Sequence, residues 1–513
     1  MNQIEAGPAE EPFRRSLILA VLVVGAFAAF LSQTMLNVAL PQMMVDMGIG
    51  ANTAQWVQTA YMLVNGVLVP ISAYLIQRFG SRALFLVSIW LFLAGSALCA
   101  VSPNFGVLLA GRVVQAAGAG ILMPLMTVVI LNIYPVEQRG RAMGFMGMSM
   151  IFAPALGPTL SGWIVEHYSW RVLFYIIIPV TIFSLAIGYK YMKNVTKTSP
   201  QHLDVFSAAL STLGFGGILY GFSAAGSGGW DQTDVIASLA VGAAALLWFV
   251  LRELKAEKPL LEFRVFRYGM FTLTTLINVI VTMAMFSGMI LMPIYLQSLR
   301  GFSPVEAGLL MLPGALVMGI MSPVTGALFD RIGARWLAVV GLAVTTATTY
   351  LFSTLTLETS YGFVLTLFTL RMFGMSFMMM PIQTAGLNQL PRRLNAHGSA
   401  MSQTMRNMAG ALGTALLVTV MTNEASSYGA KLAAERGVGP QDAAAMAQLT
   451  AEAAVHGINY SFVVATWMTL AALALAFFIR KVRPQEDAPA SPVQARDAET
   501  GAEPGAAARA ADR

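Results

Sequence analysis

Three arginines stand inside long apolar runs: Arg112 in GRVVQAAGAG, Arg371 in LRMFGMSFMMM, and Arg406 in SQTMRNMAGALG. A full charge within a membrane span costs at least about 2.5 kcal/mol, so each must face protein or water. Gln115 follows Arg112 on the same helical face, and Gln403 and Asn407 share a face with Arg406. Such groups could bind a polar substrate, couple its movement to a proton, or act as a structural strut. Uncharged polar residues gather nearby. Ser32 precedes Gln33 and Asn37, which are one turn apart, and Gln58, Tyr61 and Asn65 lie along one face of the next run. These six are candidates for lining a central cavity; bonding between neighbouring helices is the alternative.

Carboxylates are missing from the middle of the spans. The 25 Asp and Glu fall in loops, tails or span ends, the nearest being Asp46, Glu166, Asp234, Asp330 and Glu424. The four histidines are scattered at span ends, and Cys99 is the single cysteine. No HExxH, cysteine cluster or phosphate-cradling glycine loop occurs, so neither a metal, a cofactor nor enzyme chemistry is expected.

The elements that must hold these residues follow from composition. At 513 residues, 57% hydrophobic and 11% charged, the chain has too little polar surface to cover itself in water. Its mean hydropathy is +0.67. A spanning helix needs about 20 apolar residues, and fourteen such runs can be read, the last two centred near Leu412 and Ala471. Most of the 31 Lys and Arg lie in the termini or in alternate loops. Arg171, Arg300, Lys431 and Arg436 fall in the opposite set, and three arginines fall within spans. This is the positive-inside distribution. It places both termini in the cytoplasm, requires an even number of spans, and accounts for the net charge of +6 without a nucleic-acid partner.

The run PVTGALFDRIGAR has a counterpart in PISAYLIQRFGSR. At one constant offset, Pro323, Leu328, Arg331, Gly333 and Arg335 fall on Pro70, Leu75, Arg78, Gly80 and Arg82. Each joins two apolar runs by a tight loop, which implies two related halves. The pattern through Gly326, Asp330, Arg331, Gly333 and Arg335 resembles the loop signature of the major facilitator superfamily. The first copy, with Arg78, Gly80 and Arg82, departs from it at Ala73 and at Gln77, where an aspartate is expected. Arg112-x-x-Gln115-x-x-Gly118 resembles the same family's fourth-span motif, whose arginine is linked to proton coupling. Pro154, Gly157, Pro158 and Gly162 resemble its antiporter motif, which is expected to seal the two halves against proton leak. From the residues themselves, the prolines should kink the fifth span, and Gly157 and Gly162 should permit close packing. The first two spans resemble the fourteen-span drug:proton antiporter branch, and its lincomycin-resistance type in particular, with Ser32 at the aspartate position.

The resemblance implies an all-α membrane protein of the major facilitator fold, two pseudo-symmetric six-helix bundles with two extra spans between them. The expected plan is a cytoplasmic tail (1–16), an N-terminal bundle (17–192), a linker with the extra spans and an amphipathic cytoplasmic segment (193–269), and a C-terminal bundle (270–480). That bundle contains an external loop (423–457), and a disordered tail follows (481–513). The implied activity is export of small amphiphilic drugs in exchange for protons across the bacterial inner membrane, by a monomer with a periplasmic adaptor as a candidate partner. The coupling residues would be Arg112, Gln115, Asp330, Arg371 and Arg406. A membrane enzyme, or a facilitator or importer of small metabolites with the same fold, is the alternative.

Overall fold

The computed structural model describes residues 15–196, 198, 203–437 and 443–480. The N-terminal half contains α1 (Arg15–Met47), α2 (Ala51–Phe79), α3 (Ser81–Ala100), α4 (Phe105–Ile133), α5 (Val136–His167) and α6 (Val172–Tyr191). Then come α7 (Val205–Gly228) and α8 (Thr233–Lys255), followed by a short 3-10 turn at Phe263–Arg267. The second half holds α9 (Gly269–Pro293), α10 (Pro304–Ile332), α11 (Ala334–Leu351), α12 (Tyr361–Ser376), α13 (Met379–Leu387), α14 (Asn395–Arg436) and α15 (Ala443–Ala476). The described residues form no strand.

Helix ends follow local chemistry. Asn104 accepts from the Val107 amide at the start of α4, Asp204 from Phe206 and Ser207 at the start of α7, and Ser360 from Phe363 at the start of α12. Ser303 and Glu306 form a reciprocal capping box on α10. Gly80 and Gly333, the two related loop glycines, sit at φ 76° and 83°. That backbone, open to glycine at no steric cost, lets α3 follow α2, and α11 follow α10, with a single residue between them.

Among the described residues, thirteen stretches are long and apolar enough to cross a membrane, with α12 and α13 sharing one of them. The fourteenth expected crossing is α14, whose first turns carry Asn395, His397, Ser399, Gln403, Arg406 and Asn407. Hydropathy passes it over, yet it lies against α2, α4, α7, α9 and α15, so its polar groups meet protein more than lipid. Within the segment 423–457, whose alanine-rich sequence was expected to be helical in part, α14 continues to Arg436 and α15 begins at Ala443. Alanine favours helix, and Arg436 pairs with Glu452 at 2.7 Å while Tyr428 stacks on His456.

The helices α1 to α6 pack on one another, as do α9 to α15, and the two sets meet chiefly along α5 and α10. The extra pair, α7 and α8, bridges them: α7 packs on both α2 and α14. Trp56 of α2 stacks on Tyr220, and Trp230 donates to Thr419 of α14 at 2.6 Å. The pair is thus more than a peripheral hairpin.

Candidate functional site

In the N-terminal half, Arg112 is fully buried on α4. Its Nη1 donates to Gln115 Oε1, its Nε donates to the Val57 carbonyl at 3.3 Å, and its guanidinium carbon lies 4.0 Å from the centre of the Tyr61 ring. Gln115 Nε2 then donates to Ser32 Oγ at 2.9 Å and Ser96 Oγ at 2.7 Å. One arginine therefore ties α1, α2, α3 and α4 together without a carboxylate, and Nη2 is left buried with no partner. Beside this network, Gln33, Tyr61 and Asn65 line a cavity of about 20 Å³ closed by Phe30, Leu122 and Met123. That is room for about one water. Gln58 Oε1 is buried without a partner, and the Asn37 side chain lies outside the described residues.

Arg371 of α12 is equally buried but held differently. Its Nη2 donates to the Ala284 carbonyl at 2.9 Å and Ser287 Oγ at 3.1 Å, both on α9, while Nε and Nη1 lack partners. Three residues after Arg371 stands Gly374 rather than a glutamine, so the intrahelical amide is missing. Arg406 donates to Gln403 Oε1 at 2.7 Å, and Gln403 to Asn407 at 3.1 Å, as their shared face requires. The methionines after Arg371 mostly fill core: Met375, Met378 and Met380 are buried.

At one end of the bundle the halves are locked together. Asp330 Oδ1 accepts from the Gly140 amide at 2.7 Å, and Oδ2 from the Arg141 amide at 2.9 Å. A side-chain carbon added at Gly140 would stand 2.4 Å from the Gly326 carbonyl oxygen, and one at Gly326 would stand 2.2 Å from that of Gly140. The backbones of α5 and α10 thus touch. Ser322 Oγ donates to the Gly144 carbonyl at 2.9 Å, and Arg139 Nη1 to Asn388 Oδ1 at 2.9 Å. The loop arginines Arg78, Arg82, Arg331 and Arg335 border the same glycine turns.

The two glycines of the α5 motif differ in what they meet. The helix runs on through Pro154 and Pro158, and nothing stands within 4 Å of a carbon added at Gly162. Of the two glycines, only Gly157 is tightly placed: a carbon added there would stand 2.3 Å from Thr34 Oγ1 of α1. Ser161 Oγ donates to the Met35 carbonyl at 2.5 Å, reinforcing that seam, while Phe152 packs under Gly319 of α10. The prolines remove amide donors, and neighbouring side chains let a membrane helix tolerate the loss. The Pro158 side chain lies outside the described residues.

The family model described as Major Facilitator Superfamily matches residues 22–414. The chain belongs to the Major Facilitator Superfamily. It is 47% identical to the MFS-type transporter YcnB of Bacillus subtilis (strain 168), over 94% of this chain and 98% of that one. It is 41% identical to the lincomycin resistance protein LmrB of the same organism, over 93% and 98% respectively. Among solved structures, the proton:xylose symporter XylE aligns with a TM-score of 0.62 at 12% identity, covering 91% of this chain and 96% of that one, and so shares the fold. The protein is a multi-pass membrane transporter and not an enzyme.

Within this superfamily architecture, the structure brings Arg112, Gln115, Ser32 and Tyr61 into one network and Gln33, Tyr61 and Asn65 around one cavity. Arg371 and Arg406 have separate partners. Sequence reasoning passed over His397, which is buried where α14 begins. The only signal was indirect: Gln77 stands where the loop pattern calls for an aspartate, and its side chain meets the His397 ring at 2.9 Å.

Proposed function

We propose that the protein exports amphiphilic drugs across the bacterial cytoplasmic membrane in exchange for protons, with both termini in the cytoplasm. The observation that carries the reading is the seam between α5 and α10, closed by Asp330 on two backbone amides at the arginine-rich end. Opening that seam would connect the polar cavity beside Tyr61 to the cytoplasm, and closing it would commit the substrate outward. The 41% identity to a lincomycin resistance protein supports a drug as cargo. Arg112, Gln115, Arg371 and Arg406 would carry the coupling, and one chain contains both halves of the pathway.

The cavity wall of amides, a phenol and apolar side chains holds no carboxylate. The favoured substrates are therefore neutral or anionic amphiphiles, since a buried cation would find no counter-charge there. In liposomes of the purified protein, an imposed pH gradient should drive accumulation of a neutral, non-titrating amphiphilic drug, and an uncoupler should abolish it. Gradient-independent equilibration would identify a facilitator instead. Transport of a dication as efficient as that of the neutral drug would remove the substrate assignment.

A further inference from the structure

The two loop repeats close the cytoplasmic end by unlike chemistry. In the second, Asp330 takes two backbone amides of α5. In the first, Gln77 replaces the carboxylate and reaches His397 of α14. On the far side of the ring, Nδ1 accepts from the Glu262 amide at 3.2 Å. That assignment sets the tautomer: Nδ1 bears the lone pair and Nε2 bears the hydrogen, which Gln77 Oε1 receives once its amide is turned accordingly. A neutral imidazole therefore pins α2, α14 and the linker ahead of α9 at one point. Nearby, Ser399 donates to the Pro124 carbonyl at 3.1 Å, and Asn395 to Asn132 at 3.4 Å.

Resting on the antiport reading, we propose that His397 is the proton-binding residue of the cytoplasmic gate, neutral when the seam is closed and protonated when it opens. A proton on Nδ1 would point at the Glu262 amide, leaving two donors face to face and that buried N–H without an acceptor. The charged ring is also better hydrated in an opened seam, so protonation and opening favour one another. The sign suits an exporter, whose protonated form must open inward.

The charged groups on the surrounding elements include Arg78 of α2, Glu137, Arg139 and Arg141 of α5, Arg252, Glu253 and Lys255 of α8, Glu257, Lys258, Glu262, Arg264 and Arg267 of the linker, Arg392 and Arg393 ahead of α14, and Arg406 of α14. Glu253 and Glu262 are already engaged, Glu262 also pairing with the Arg264 guanidinium at 3.7 Å. Glu253 accepts from the Leu260 and Leu261 amides at 2.5 and 3.3 Å, and Glu262 from the Arg264 amide at 3.0 Å. Neither therefore supplies a preformed ion pair to the ring.

The test uses Ser399→Cys in a Cys99→Ala protein, alkylated by a membrane-impermeant maleimide from the cytoplasmic side between about pH 5 and 8. His397→Asn keeps an acceptor towards Glu262 but cannot titrate, and serves as the reference at each pH. The ratio of labelling, His397 protein over His397→Asn, should rise several-fold as pH falls through ~6.5. A ratio that stays flat overturns the proposal. His397→Phe, which removes both bonds, should label fast at every pH, and slow labelling in a folded His397→Phe protein would equally overturn it. The assay needs no substrate or gradient. A pH-dependent ratio in a protein that exports nothing under a pH gradient would leave the gate standing and sink the antiport reading.

Discussion

Arg112 and Gln115, one helical turn apart on α4, are directly bonded, and the glutamine spends its amide hydrogens on Ser32 and Ser96. The glutamine thus turns a buried charge into a joint among four helices. Gln115→Leu keeps the volume and removes the acceptor, stranding a second guanidinium donor beside the Nη2 that already lacks one. The expected cost is about 1–3 kcal/mol, read as a lowered melting temperature of the detergent-solubilised protein. An unchanged melting point for Gln115→Leu would mean that the network does not brace the fold.

The glycine contact between α5 and α10 gives a contrast within one helix. Gly140→Ala and Gly326→Ala each drive a methyl group into backbone, at 2.4 and 2.2 Å from a carbonyl oxygen, where no flexible side chain can yield. Both should wedge the α5–α10 seam and cut export at least tenfold, about 1.4 kcal/mol, with the protein still inserted. Gly162→Ala, though part of the motif that resembles an antiporter signature, meets nothing within 4 Å. It should export at the native rate. Drug efflux from cells at matched expression decides both. Equal loss in all three would show that the motif acts through something other than packing.

On the opposite face, Asp46 is held below the usual carboxylate range by a hydrogen bond from Arg171, then by one from the Trp170 indole, against a small opposing effect of burial. A carboxylate with a depressed folded-state value stabilises the fold above its unfolded value of 3.8 and loses that contribution as pH falls through the lower, folded one. Trp170 fluorescence should therefore stay constant from neutral pH down to about 4 and change only below it. Asp46→Asn should abolish that acid transition while leaving the neutral spectrum nearly intact. A transition at the same pH in Asp46→Asn would assign it to another group.

Much of the fold was legible in the chain because a bilayer imposes a simple rule: helices long enough to cross it must be apolar. Thirteen crossings obeyed that rule. The run near Leu412, in α14, was also legible, but the helix hides its polar first turns against five other helices, and a window of mean hydropathy counts composition, not shelter. The candidate site was legible only in part. Spacing along a helix put Arg112 beside Gln115 and Gln403 beside Arg406, because those pairs depend on helical pitch alone. Gly157 and Gly162 look alike in sequence, yet only one faces a neighbour.

By itself the sequence determined that this is a polytopic helical membrane protein built from two related halves, with its loop glycines and in-span arginines in place. Local pitch, hydropathy and charge suffice for that. The tertiary structure alone decided who meets whom: Asp330 on the α5 amides, Gln77 on His397, and α7 across the gap between α2 and α14. Those contacts join residues far apart in the chain, and no local periodicity encodes the distance between them.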